Sequence, residues 1–269
     1  FPVPVDIDKK YFSLSYAELK KKINKKIGAV IIIHIGGLVT PDIIKISKLC
    51  KKFKVPLIED CAQAFGSEYK NKHVGNFGIA GAFSLQTTKV LTAGEGGLVT
   101  TNDKNFYNKV TRNREHGFNS NNKLIYDLNG SNFRMSEFVA LAALCDMSRV
   151  KYRIKKRSLI AKKYQQRLKD TKWITLSPAK NTTTSYYKQI ILSPIDRKIL
   201  QEKLNKKKIS MTGGVYYKPL HRQPCIGKFQ EKKFPVANYF ADNHFCPPCY
   251  PELNIKDIDY ICDVLLSIR

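Results

Sequence analysis

Between residues 29 and 59 the chain sets an amphipathic run between two short apolar ones, and this alternation restricts its possible folds more than any other feature. Ala29-Val30-Ile31-Ile32-Ile33 is apolar at every position and β-branched at all but the first. Such a run predicts a strand covered on both faces. Thr40-Pro41-Asp42 then offers an N-cap and a proline in the first turn. Ile43, Ile46, Leu49 and Cys50 recur along one face of a helix reaching about Phe53. Val55 to Glu59 reads as the next strand. Phe1 to Asp8 reads as an opening strand, and Ser15-Tyr16-Ala17-Glu18 as a capping box that starts a helix to about Lys26. The order β-α-β-α-β is that of an α/β domain with a largely parallel sheet.

Ligands of such sheets sit at the carboxyl ends of the strands. Asp60 lies just past one strand end. Ala80 to Leu85 and Gly97 to Thr101 read as further strands, with Lys89 on the loop between them. From Met135 a helical stretch runs to about Lys169. Phe138, Leu141, Ala142 and Leu144 predict that its first half is buried, and Arg149 to Lys163 that the second is solvated. Tyr186 to Leu192 is strand-like, Arg197 to Lys207 helix-like, and proline-rich turns follow. The expected division is a large domain over 1–148 and, over 149–269, a linking helix with a smaller α+β domain.

Composition mainly excludes. Hydrophobic residues at 43% and charged residues at 26% argue against wholesale disorder. No apolar run has the length of a membrane span, and no export signal opens the chain. Seven scattered cysteines fit a reducing compartment, hence a cytoplasmic protein, better than a disulfide framework. The net charge of +25 comes mostly from lysine, 37 of 47 basic residues, spread along the chain. Its basic clusters are not interleaved with aromatics as in nucleic-acid-binding motifs, so no nucleic-acid partner is expected. The positive field suits an anionic metabolite.

The chemistry gathers around Lys89. A strand-end carboxylate followed by a lysine in a small-residue loop is what pyridoxal-phosphate chemistry requires. The amine forms a Schiff base with the cofactor aldehyde, and the acid pairs with the pyridine nitrogen. Other readings of single residues are plainer. Asp60 could cap a turn, and Ser84 and Gln63 could satisfy local backbone groups. His34 reads as a satisfied core histidine. Cys246-Pro247-Pro248-Cys249 lacks a second cysteine pair and reads as a proline-rich loop rather than a metal site. Gly94-Glu95-Gly96-Gly97 lacks phosphate-loop spacing and reads as a tight turn.

Several segments together carry a family resemblance. They are Glu59-Asp60-Cys61-Ala62-Gln63-Ala64-Phe65-Gly66, Val74-Gly75-Asn76-Phe77-Gly78, and Phe83-Ser84 through Lys89 to Gly97. Asn132-Phe133-Arg134-Met135-Ser136-Glu137 and Tyr217-Lys218-Pro219-Leu220-His221 extend them over nearly the whole chain. The chain resembles the DegT/DnrJ/EryC1/StrS family of pyridoxal-phosphate-dependent aminotransferases, which act on nucleotide-linked keto-sugars and cyclitols. The resemblance implies the aspartate aminotransferase-like fold, with Lys89 as the Schiff-base lysine and Asp60 holding the pyridine nitrogen cationic. It further implies Ala62 against the cofactor ring, Gln63 near its phenolic oxygen and Ser84 on its phosphate. Asn132 would reach the phosphate in a neighbouring subunit, making the active unit a homodimer. His221, Arg134 and Tyr217 would face the substrate.

The implied reaction takes an amino group from glutamate or glutamine to a keto-sugar nucleotide or keto-cyclitol, for polysaccharide or secondary-metabolite biosynthesis. Gln86, Thr87 and Thr88 look closer to the cyclitol branch. The family's helix N-terminal Gly-Thr or Gly-Ser phosphate anchor, and the aromatic stacked on the ring, would lie upstream of Phe1, so the resemblance is to an N-terminally incomplete member. An inactive fragment or a non-catalytic regulatory member of the fold is therefore the alternative. A sugar dehydratase of this fold, with histidine in place of the lysine, is disfavoured by Lys89.

Overall fold

The computed structural model describes residues 1–268 other than 120, 123, 212, 228 and 230. Its elements run in chain order as α1 (Tyr16–Lys22), β1 (Val30–Ile33), α2 (Ile43–Phe53), β2 (Leu57–Asp60), β3 (Glu68–Tyr69), β4 (Lys72–His73), β5 (Ala80–Ser84) and β6 (Gly97–Thr100). These are followed by α3 (Lys104–Arg114), α4 (Glu137–Met147), α5 (Val150–Arg167), β7 (Ile174–Thr175), β8 (Thr182–Thr183), β9 (Ile191–Leu192) and α6 (Arg197–Lys206). The last three are α7 (Pro235–Asn243), β10 (His244–Phe245) and α8 (Ile255–Ser267).

A sheet of order β1-β2-β5-β6 organises the first half. β1, β2 and β5 are parallel, with Ile33 beside Asp60 and Asp60 beside Ala82, and β6 is antiparallel to β5. The β-α-β-α-β reading therefore holds from α1 onward. α2 buries the anticipated stripe, with Ile43 and Ile46 wholly inaccessible, against Val30, Ile32 and Leu57 of the sheet.

Three local expectations are corrected. Phe1 to Asp8 is not a strand; only Ile7 makes an isolated bridge, to Leu14. Pro2 and Pro4 lack the amide a ladder needs. Asp6 instead accepts bonds from the Val236 and Ala237 amides at the start of α7, 3.2 and 2.9 Å away. β1 is fully covered on one face only; on the other, Ile31 is 62% exposed and Ile33 only partly covered, so that face is largely open. Strand alternation places Asp60 and Val99 on that same open face.

The third correction is the largest. The stretch from Met135 is two helices, broken at Ser148-Arg149, and its burial is the reverse of the expected one. α4 buries no residue, leaving Phe138, Leu141 and Leu144 exposed. α5, for all its charge, buries Val150, Arg157, Ile160, Ala161 and Tyr164. Ile160, Ala161, Tyr164 and Leu168 form one helical face, packed in the same core as Ile258, Ile261, Cys262 and Leu265 of α8.

The second half carries an antiparallel sheet of order β10-β9-β7. Its strand-like segment from Tyr186 pairs only over Ile191–Leu192. Two core clusters join the halves: one brings Leu85, Val90 and Leu91 from the Lys89 loop against Val150 and Tyr187, and the other packs Phe12, Ile35 and Leu38 with Ile190, Val215 and Phe240.

Candidate active site

Neighbouring parallel strands end side by side, which places His34 after β1, Asp60 at the end of β2 and Ser84 at the end of β5. Asp60 Oδ1 accepts from the Ala62 amide at 3.0 Å, a turn that fixes the carboxylate on the open face of the sheet. Gln63 Oε1 accepts from the Gly36 amide at 2.7 Å, so the carboxamide is anchored by its oxygen and keeps its NH2 as the donor end. Gly36 has φ +62°, and a Cβ there would lie 2.7 Å from Ile190 Cδ1, so glycine is needed at this approach.

Beyond β5 the chain doubles back, with Leu85 bonded to Gly96 through N–H···O at 2.9 Å. Gly94 and Gly96, at φ +84° and +134°, make the turn, as read from the sequence. Side chains lace the intervening loop. Gln86 Oε1 accepts from the Thr88 amide at 2.9 Å and from Thr88 Oγ1 at 2.6 Å, while Ser84 Oγ accepts from the Gln86 amide at 3.3 Å. Ser84 thus satisfies a local backbone group and retains its own hydroxyl hydrogen. Thr92 N–H donates to Asp146 Oδ2 at 3.0 Å, and Asp146 receives Arg153 in a two-pronged pair at 2.5 and 2.6 Å. Burial pushes the Asp146 carboxyl up, but the Arg153 bonds and the Thr92 amide outweigh it and hold it below the usual carboxylate range.

Lys89 is half-buried, and its Nζ stands 4.7 Å from the centroid of the Tyr187 ring. Among the described residues no carboxylate pairs with it. Tyr216 is half-exposed nearby; burial first, then the charges of Asp60 and Tyr187, raise its hydroxyl above the ordinary tyrosine value. Sequence reasoning singled out neither tyrosine. Tyr187 lies 98 residues from Lys89 along the chain, and Tyr216 had only its neighbour Tyr217 as a signal.

The remaining expected residues are placed elsewhere. Asn132 and Arg134 lie on an exposed segment and bond to each other at 3.2 Å. His221 is buried, donating to Asn238 Oδ1 at 2.7 Å and stacking on Phe234 at 4.4 Å. Tyr217 lies under the Arg197 guanidinium and beside His244, with its hydroxyl buried and unpartnered among the described residues.

Behind Asp60 lies a knot that holds the strand ends. Glu59, wholly buried, accepts from His34 Nε2 at 3.0 Å and from the amides of Gly75, Phe77 and Gly78 at 2.8, 2.6 and 2.8 Å. Burial alone would raise its carboxyl; the His34 bond and charge and the backbone amides outweigh that and leave it lowered. His34 is the expected core histidine, satisfied at Nε2 while Nδ1 has no partner among the described residues. His34, Glu59 and Cys61 form a compact trio, but the four bonds on Glu59 fill its lone pairs and leave no free ligand oxygen. Cys246 and Cys249 are buried thiols in an irregular stretch, raised by burial to about 12 and about 11.

A lysine, a carboxylate, a serine hydroxyl and a carboxamide at adjoining strand ends fit the donor set of a pyridoxal-phosphate pocket. The DegT/DnrJ/EryC1/StrS aminotransferase family matches over residues 1–266. The GDP-perosamine synthase of Escherichia coli O157:H7 is 31% identical over 97% of this chain and 71% of its own length. The L-glutamine:2-deoxy-scyllo-inosose aminotransferase of Micromonospora echinospora is 40% identical, over 43% of this chain and 26% of that enzyme. Among solved structures, PseC of Helicobacter pylori, an aminotransferase involved in the biosynthesis of pseudoaminic acid, superposes with a TM-score of 0.87. It is 26% identical, covering 99% of this chain and 73% of that one.

Proposed function

The chain belongs to the DegT/DnrJ/EryC1/StrS aminotransferase family, and from that premise we propose that it aminates a keto-sugar nucleotide or keto-cyclitol at a pyridoxal 5'-phosphate site built on Lys89. What supports the reading is that Asp60 and Ser84 end two adjacent parallel strands, with Lys89 on the loop that follows Ser84. When bound, pyridoxal phosphate supplies the electron sink that lets an amino group be exchanged. Lys89 would hold the cofactor through its amine, and that amine is the group placed to act as general base and acid toward the substrate. Asp60 places a negative charge where a protonated pyridine nitrogen would sit. Ser84 donates to the phosphate, Gln63 offers its NH2 to the phenolic oxygen, and Ala62 leaves room for the ring.

Glutamate or glutamine is the amino donor in this reading, and the protein is cytoplasmic. Among the described residues no helix is long and apolar enough to cross a membrane. The relative acting on 2-deoxy-scyllo-inosose favours the cyclitol as a second acceptor class. The active unit is a homodimer in which Asn132 reaches the partner's cofactor phosphate. His221, Arg134 and Tyr217 are the substrate-side residues of this reading. The unburied apolar face of α4 supports a subunit contact.

The test is spectroscopic. Protein incubated with pyridoxal phosphate should gain a visible absorption band, and borohydride reduction should fix the added mass on the peptide containing Lys89. Lys89→Ala should show neither. A wild-type protein that stays colourless and unlabelled sinks the enzyme reading and favours a non-catalytic member of the fold.

A further inference from the structure

The contact between Lys89 and Tyr187 is one feature that the proposed reaction does not by itself require. Tyr187 is 9% exposed and comes from the segment leading into β9, so the second half of the chain delivers it beneath the Lys89 loop. It presents two different groups to that loop. Its ring faces Lys89 Nζ at 4.7 Å, and Lys188 Nζ lies 5.6 Å from the same centroid. Its hydroxyl lies 3.0 Å from Thr88 Oγ1. The single Thr88 hydroxyl hydrogen is committed to Gln86 Oε1 at 2.6 Å, so Tyr187 must be the donor. The result is a directed chain from Tyr187 through Thr88 to Gln86, which closes over the turn ending at Lys89.

The backbone beneath is held at a cost. Tyr186 takes φ +47°, a left-handed conformation unfavourable for an aromatic residue. The buried guanidinium of Arg157 donates to the carbonyls of Tyr186 and Tyr187 at 3.4 and 3.2 Å, and to that of Cys249. A strained residue clamped by a buried cation immediately before Tyr187 fixes where that ring can point.

We infer that Tyr187 is the positioning residue for the reactive lysine: its ring holds the Lys89 ammonium by cation–π attraction, and its hydroxyl latches the 86–89 loop. A lysine has four flexible side-chain torsions, and restricting them beside the reacting atoms is worth rate. The ring also gives the amine a defined place to rest whenever it is not covalently engaged. This inference rests on the reading of Lys89 as the attachment point.

The experiment measures the rate of covalent uptake of added pyridoxal phosphate at fixed pH, located by borohydride trapping at Lys89, with thermal unfolding as a fold control. Tyr187→Leu removes ring and hydroxyl and should slow uptake about 10-fold. Tyr187→Phe removes the Tyr187–Thr88 bond, Thr88→Val removes it together with the Thr88–Gln86 bond, and each should slow uptake about 2- to 5-fold. Their double variant should be no slower than Thr88→Val alone, and that cycle stands even if the leucine variant does not fold. Ile261→Val, in the α5–α8 core and off the Lys89 loop, should lower the melting temperature and leave uptake unchanged, separating positioning from general stability. Wild-type uptake rates in Tyr187→Leu, or additive losses in the double variant, overturn the inference while the Lys89 reading stands. Absence of uptake by the wild type overturns both.

Discussion

Replacing Glu59 by glutamine tests how the strand ends are held, because the change keeps shape and removes charge. Glu59 accepts two bonds on each oxygen, Oε1 from Phe77 and Gly78 and Oε2 from His34 and Gly75. A glutamine has one oxygen; its better orientation keeps that oxygen on Phe77 and Gly78 and turns the NH2 toward Gly75 and toward His34, whose neutral ring accepts at Nε2 by changing tautomer. The charged acceptor is lost and the buried Gly75 amide is left unsatisfied, which costs about 2–4 kcal/mol. Against a total stability of about 5–15 kcal/mol that is a large fraction. In a thermal melt at pH 7 it corresponds to a fall of roughly 10 °C.

The pH dependence gives the argument its sign. The folded-state value of Glu59 lies below its ordinary 4.5, so its contribution is complete above the unfolded value and is lost as the pH falls through the folded one. The gap between wild type and Glu59→Gln should therefore be widest at neutral pH and narrow in acid. Melting curves followed by circular dichroism from pH 7 to pH 3 would measure it. A gap under about 1 kcal/mol at pH 7, or one that does not narrow in acid, refutes the reasoning.

Two further outcomes follow from other parts of the molecule. Asp146→Asn should destabilise by about 2–3 kcal/mol, because it unpairs Arg153 and weakens the acceptor for the Thr92 amide; urea titration checks it, and a loss within 0.5 kcal/mol would contradict it. Leu141→Lys, on the exposed face of α4, should shift sedimentation from dimer to monomer while leaving the helical signal intact, and a wild-type protein already monomeric at micromolar concentration would remove the basis of the homodimer.

The parts of the fold legible in the sequence were those set by local periodicity. α2 could be placed because its apolar residues recur every third or fourth position and its first turn carries a proline. Asp60, Ser84 and Lys89 could be grouped because parallel strands align their carboxyl ends, and that follows once the strands are recognised. Glu59 is adjacent to Asp60 in the chain, yet its role was hidden. Its donors come from a loop some sixteen to nineteen residues away, where only the backbone takes part. Backbone amides leave no mark on residue identity, apart from the glycines at 75 and 78. Tyr187 was hidden for a related reason, since its contact with Lys89 depends on how the two halves of the chain pack.

The reversal between α4 and α5 shows why hydrophobicity and burial are different quantities. In α5 the positions of the charges matter more than their number. Ile160, Ala161, Tyr164 and Leu168 occupy one face, and the lysines and arginines mostly occupy the rest. Arg157 is the exception, buried with three carbonyl groups accepting from its Nη1. In α4 the opposite holds: Phe138, Leu141, Leu144 and Met147 are apolar but lie at 86%, 59%, 70% and 43% exposure. A helix apolar on nearly every side is stable in water only when something covers it. Apolar sequence thus marks surface that must be removed from water, whether inside one chain or between chains. Within this chain α5 and α8 meet that need for each other. α4 meets it only in part, at Ala143, and leaves Phe138, Leu141, Leu144 and Met147 exposed, and the same short segment joins α4 to Arg134 and Asn132. The residues proposed to act across subunits and the uncovered apolar face therefore belong to one stretch of chain, 132–147. A single association would bury the second while delivering the first.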